Sequence, residues 1–154
     1  MKTKKLARKV KPKYPTRARA KRLAWTAFST FIRQRDCLNS PSLKLGVGFC
    51  VTCDRSYPMA KLQAGHFVPG RHESVLFEET NCHAQCQGCN IFKSGNLIPY
   101  FEFMLEKYGI EEINRLRDLD KKIVHLKTQD FLAIRDKYVT KFGELLNTDK
   151  RVNI

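Results

Sequence analysis

Cys50 and Cys53 are separated by two residues, as are Cys86 and Cys89, with His66 between the pairs and Asn90 directly after the last cysteine. Two such pairs in a chain without a secretory signal read as one tetrahedral four-thiolate zinc site. Each pair can grip an ion from a tight knuckle, and two knuckles complete the shell. A zinc closed by four thiolates has no open position and cannot activate water, so its role is structural. His66 and Asn90 are not needed by a plain zinc ribbon. An imidazole is a base near neutrality, and chemistry beside the closed zinc would need a second ion, a hard cation held by oxygen or imidazole close to a phosphate. Lys93 and Arg71 are candidate phosphate clamps, the arginine with bidentate geometry. Cys37 and Cys82 fall outside the pairs and read as small buried hydrophobes.

Charge narrows the partners. The net charge of the 154 residues is +14, and residues 1–35 hold 13 Lys or Arg and no acid, whereas residues 36–154 hold 16 against 15 acids. A basic arm on a nearly neutral body favours a polyanion, with DNA as the leading partner through phosphate neutralisation and counterion release. A solvated solubility tail is the plain alternative. No apolar run reaches membrane-span length and the N-terminus has no apolar leader, so a cytoplasmic protein with reduced thiols and no membrane partner is expected.

The elements that must position these residues follow from periodicity. Residues 1–15, with Pro12 and Pro15 among lysines, read as a disordered basic arm. Residues 16–36 read as a helix, with Ala24, Ala27, Phe28, Phe31 and Ile32 on one stripe and Arg17, Arg19, Lys21 and Arg22 as DNA-facing bases. Residues 37–98 form the core that carries the knuckles: a loop over 39–48, strands over 49–53 and 59–64, a loop over 68–78 and a strand over 81–85. A helix then runs from Cys86 through Lys93, stopped by Gly95 and Pro99. Residues 99–154 are helical, over about 100–108, 111–119 and 129–146. The last segment has a stripe of Phe131, Ile134, Tyr138, Phe142 and Leu145. That stripe packs on the chain's own core or serves as the surface of a homodimer, which would supply a second His66 site.

The run Ala64-Gly65-His66-Phe67, then Asn81-x-His83-x-Gln85-Cys86-x2-Cys89-Asn90-x2-Lys93-Ser94-Gly95-Asn96, resembles the zinc-knuckle HNH (His-Me finger) endonucleases. In particular it is similar to the lambdoid phage recombination endonuclease family NinG, also called Rap, over roughly residues 20–120. The resemblance implies His66 as general base, Asn81 as the residue orienting the loop that carries it, and Asn90 as a ligand of a catalytic Mg2+ or Mn2+. Many HNH enzymes have an aspartate ligand before the base. Here that residue is Gly65, which leaves His83 and Glu79 as candidate replacements.

The expected fold is therefore α+β: a zinc-knuckle ββα-metal (HNH-like) core flanked by helices, with a basic N-terminal arm. The expected function is a metal-dependent DNA endonuclease. The resemblance points to branched recombination intermediates, D-loops or Holliday junctions, in the bacterial host of a phage. The rival is a non-catalytic zinc-ribbon module that binds nucleic acid, with His66 incidental. An adaptor acting through its C-terminal helices would leave the basic arm unexplained.

Overall fold

Thr16 begins the first helix. In the computed structural model, which describes residues 14–40 and 46–148, its Oγ1 accepts from the Arg19 N–H at 3.3 Å and opens α1, Arg17–Leu38. The first turn of α1 has no acid, and its arginines oppose the helix dipole. Glu73 offsets this from a distant loop: Arg17 and Lys21 both donate to its carboxylate, at 2.6 and 2.8 Å, and so does the Leu126 N–H at 2.8 Å. One carboxylate thereby ties the start of α1 to two other segments.

Ala20, Ala24, Phe28, Phe31 and Ile32 recur at helical spacing and are buried. They face α3, Thr128–Thr148, whose Phe131 packs on Ala20 and Ala24. Tyr138 of α3 meets Phe28 edge-on at 4.8 Å and Phe31 at 5.3 Å. Each such side chain contributes about 1.5–3 kcal/mol on burial. The stripe of the last helix thus belongs to the chain's own core: Phe131 and Tyr138 are buried and Ile134 and Leu145 pack beside them.

Between these helices lie two antiparallel ribbons. Strands β1, Val47–Phe49, and β2, Ser56–Pro58, pair through Gly48↔Tyr57 and carry the first knuckle in their connecting turn. Strands β3, Leu62–His66, and β4, Cys82–Cys86, pair with Ala64 opposite Ala84 and His66 opposite Cys82. Their long connection, 67–81, closes on itself through Phe67 N–H to Asn81 O at 2.8 Å. The outer edge of β4 is held by other elements: Asp36 Oδ2 accepts the Ala84 N–H at 2.7 Å, the Val51 N–H donates to Ala84 O at 3.0 Å, and Arg35 donates to Cys82 O at 2.8 Å. Helix α2, Leu97–Asp120, then buries Tyr100, Met104, Ile113 and Leu116 against Phe67 and Val68. The architecture is α+β, as expected. No helix among the described residues is long and apolar enough to cross a membrane.

Several boundaries differ from the sequence reading. The strand expected over 49–53 ends at Phe49, because a thiol knuckle needs a turn; the Cys53 and Asp54 N–H groups both bond back to Cys50 O. The strand expected over 59–64 is Leu62–His66, after a 3-10 turn at Met59–Lys61, and the one expected over 81–85 is Cys82–Cys86. The helix expected from Cys86 to Lys93 is a single wide turn, Gly88–Phe92, closed by Lys93 N–H to Gly88 O at 3.0 Å. Pro99 does not stop a helix: it sits in the first turn of α2, where its missing N–H has no intrahelical partner to lose. Gly109, at φ 81°, separates the two expected helices within α2. Of the expected arm at 1–15 only Tyr14 and Pro15 lie among the described residues, and residues 41–45 of the expected loop lie outside them.

Candidate metal centre and adjoining cleft

The two knuckles meet. One ligand atom from each of Cys50, Cys53, Cys86 and Cys89 falls in a set lying within 4.8 Å of one another, and Cys53 Sγ is 3.9 Å from Cys86 Sγ. Tetrahedral zinc with bonds of about 2.3 Å sets its sulfurs roughly 3.8 Å apart, so the four cysteines could hold a zinc ion. None is in a disulfide. The second knuckle is split between the end of β4 and the wide turn, which is why a regular helix does not form there. Neighbours support the sulfurs: Thr52 Oγ1 is 3.4 Å from Cys50 Sγ, and Asn96 Nδ2 donates to Cys89 Sγ at 3.7 Å. Burial, then the nearby Cys50, pushes the Cys53 thiol up to about 12. Burial also works against the Cys86 thiolate, but the Cys89 N–H and the Tyr57 hydroxyl bring it down to about 7. Cys37 and Cys82 are buried and outside this ligand set, Cys37 packing in one cluster with Cys50, Cys86 and Cys89 and Cys82 in the core beneath α1.

A cleft of about 610 Å³ opens beside the β3 ribbon, lined among others by Trp25, Arg33, Gln63, His66, Arg71 and Asn90. His66 ends β3, and its ring stacks on Trp25 of α1 at 5.3 Å and 22°. Its Nε2 lies 3.1 Å from Leu76 O. A carbonyl can only accept, so Nε2 carries the hydrogen of the neutral ring and Nδ1 is the nitrogen with a free lone pair. Burial lowers the pKa of His66, the Arg71 guanidinium lowers it further, and the Leu76 carbonyl opposes both. Arg71 lies over the other ring contact, 4.4 Å from the centre of Trp25.

Asn81 is fully buried beneath the connecting loop. Its Oδ1 accepts the Val68 N–H at 2.8 Å, while Nδ2 donates to Val68 O and Val75 O, each at 3.3 Å. These bonds pin both ends of the segment that leads to Leu76, the partner of His66. Asn90 lines the cleft from the wide turn, and its Nδ2 donates to Gln63 Oε1 at 2.7 Å. Its amide oxygen is thus free of that bond.

The fold does not bring His83 or Glu79 to this cleft. His83 is fully buried, with Nδ1 3.1 Å from Arg35 Nη2 and 3.5 Å from Asp36 Oδ2, and Nε2 3.2 Å from Thr80 O. Both ring nitrogens are therefore used. Glu79 accepts from Lys141 at 2.5 Å and Tyr138 at 3.1 Å, facing α3 instead. Of the basic residues, Arg17 and Lys21 are engaged by Glu73, whereas Arg19, Arg22, Arg71 and Lys93 are exposed. Trp25, Arg33 and Gln63 were not legible as cleft residues. The only signal was that Trp25 is the single tryptophan and sits one position outside the apolar stripe of a basic helix.

No solved structure matches the chain. Three curated relatives, each named Protein ninG, align over most of it. That of Salmonella phage P22 is 32% identical over 123 residues, covering 79% of this chain and 55% of the relative. That of Escherichia phage 933W is 32% identical over 127 residues, covering 81% and 57%. That of Escherichia phage lambda is 31% identical over 127 residues, covering 81% and 56%. The chain therefore spans a little over half the length of these relatives. The family model described as Bacteriophage Lambda NinG protein matches residues 1–148, and the chain belongs to that family.

Proposed function

We propose that the protein is a divalent-metal-dependent DNA endonuclease of the HNH type, acting on branched recombination intermediates in the phage-infected cell, with a structural zinc on Cys50, Cys53, Cys86 and Cys89. The observation that carries this reading is the state of His66. Its Nε2 is occupied by Leu76 O at 3.1 Å and its ring is fixed against Trp25, in a cleft that it shares with Asn90. A half-buried imidazole with a lowered pKa and one unengaged nitrogen is a general base that stays neutral at pH 7.

In this reading Nδ1 of His66 takes a proton from water as the water oxygen forms a bond to phosphorus. The bond from phosphorus to the leaving sugar oxygen breaks, and that oxygen takes a proton from solvent. A bound Mg2+ or Mn2+ would neutralise charge developing on the leaving oxygen. Asn90 Oδ1 is a suitable hard ligand for it. Asn81 is a positioning residue, acting through the loop that presents Leu76 O. Arg71, beside Trp25 at the rim, and Lys93 would hold the flanking phosphates, while Arg19 and Arg22 extend the basic track along α1.

The test uses branched and linear DNA, with and without Mg2+, on wild type and His66→Ala. Metal-dependent nicking by wild type, reduced about 10²–10⁴-fold by the substitution with DNA binding intact, is the expected result. Tight binding without nicking by wild type would leave a zinc-ribbon binding module instead.

A further inference from the structure

Gly65 stands where a side chain would collide with another residue. A Cβ there would lie well inside contact distance of Gln85 Oε1 and 3.0 Å from Asn90 Oδ1. Two amide oxygens thus border the point where a residue-65 side chain would begin. Gln85 reaches it diagonally across the ribbon: it pairs with Gln63, two positions before Gly65, on the same face.

Gln85 is fully buried, and its Oε1 has no hydrogen-bond partner among the described residues. The orientation of its amide is fixed, because Nε2 donates to Gly95 O at 2.8 Å and to Thr52 Oγ1 at 3.1 Å. Turning the amide over would set two carbonyl oxygens against each other at Gly95. The orphan is therefore an acceptor, and it shares its corner with another acceptor, the oxygen of Asn90. Buried acceptors are normally paired. Two oxygens with no donor between them suit a hard cation, which takes oxygen ligands only.

We propose that Gln85 Oε1 supplies the ligand that the missing side chain at position 65 would otherwise give, so that the divalent cation is held by two neutral amides, Gln85 and Asn90. This rests on the nuclease reading for the purpose of the ion, and the binding site can be tested apart from it. No carboxylate lines the cleft among the described residues, and Arg33 and Arg71 do. A site without negative charge beside two guanidinium groups binds a free divalent ion weakly. The DNA phosphate must supply the compensating charge, so the ion loads with the substrate rather than before it.

The experiment is Mn2+ binding, followed by electron paramagnetic resonance, to the zinc-loaded full chain in a His66→Ala background. It is run with and without a duplex oligonucleotide, corrected for Mn2+ held by DNA alone. The oligonucleotide should tighten Mn2+ binding by at least tenfold. Gln85→Leu should weaken binding in the presence of DNA by about 10–100-fold, the range seen when even outer supports of a metal site are lost. If that variant does not fold, judged by zinc content and circular dichroism, Gly65→Asp combined with Gln85→Ala decides. It removes the obstruction and returns a carboxylate, and should bind Mn2+ at least as tightly as the background protein, with less need of DNA. Wild-type-like Mn2+ binding in folded Gln85→Leu, or a folded double variant that binds none, overturns the assignment even if the wild type cuts DNA. Gln85-dependent binding in a wild type that cuts no DNA sustains the cation site and ends the nuclease reading.

Discussion

Asn81→Ala removes the side chain that spans the base of the 67–81 loop, and its cost can be worked from three bonds. The Val68 N–H loses its only acceptor among the side-chain bonds described for it, at 2.8 Å, and Val68 O and Val75 O each lose a donor at 3.3 Å. A buried backbone group left unsatisfied costs about 1–3 kcal/mol. The short bond counts near the top of that range and the two long ones near the bottom or below it, since the loop can relax and admit water. The sum is about 3 kcal/mol, and for a chain of this size a melting temperature falls by roughly 2–4 °C per kcal/mol. We therefore expect a drop of roughly 10 °C in the zinc-loaded protein, measured by calorimetry. The same loop carries Leu76, so the nuclease reading adds a second readout. At a temperature where the variant is fully folded, cleavage should fall by more than tenfold with DNA affinity unchanged, because a base displaced by about 1 Å can lose about 10²-fold. Asn81→Asp should be no better, because it turns a carboxylate oxygen toward two carbonyls. A melting temperature within 2 °C of wild type, with unchanged cleavage, would refute the positioning role.

Three further outcomes follow from the geometry. Burial, then Arg71, holds the His66 pKa below the ordinary 6.5, so the acid limb of the cleavage rate should lie below pH 6.5, and Arg71→Ala should move it upward in a pH–rate profile. By the same linkage His66 favours the folded state least in acid: its penalty is absent above pH 6.5 and grows as pH falls through 6.5 toward the lower folded value. Burial opposes the Glu73 carboxylate, but Lys21, the Leu126 N–H and Arg17 bring its pKa down to about 2. Its contribution is present above 4.5 and lost as pH falls toward 2, so Glu73→Gln should flatten the stability profile over that interval in acid unfolding followed by circular dichroism. Replacing Cys86 with Ser should lower bound zinc, measured by elemental analysis, and lower stability by several kcal/mol, because the binding free energy of a structural zinc is also folding free energy.

Much of this was legible because it is local. Four thiols at fixed spacing announce their meeting, and the stripe from Ala24 to Ile32 and that from Phe131 to Leu145 announce two helices with faces to bury. What spacing did not show was which distant group a polar residue would choose. His83 lies three residues from Cys86, near in sequence to every site residue of β4, yet its ring faces Asp36 and Arg35 of α1. Nothing near position 83 encodes that partner, 47 residues away. Gln85 has the opposite history. Its place under Gly65 depends on a strand register and on the absence of a side chain at Gly65, and a glycine reads in sequence as flexibility rather than as room for a neighbour. Pro99 misled for a simpler reason: proline stops a helix it would otherwise interrupt, but is welcome in one that is just beginning.

The pairing of α1 with α3 sets an order on assembly. The knuckles and the β3–β4 ribbon join residues a few tens of positions apart, whereas Arg17 bonds to Leu126 O across 109 residues. Closing longer loops costs more entropy, and contacts of this range form late. During synthesis at about 5–20 residues per second, α1 leaves the ribosome roughly 5–20 s before α3 exists to cover Phe28 and Phe31. Over that interval the apolar face that carries Phe28 and Phe31 lies on the same helix as Arg17, Arg19, Lys21 and Arg22. Like-charge repulsion between nascent copies would keep those faces apart until the last helix arrives.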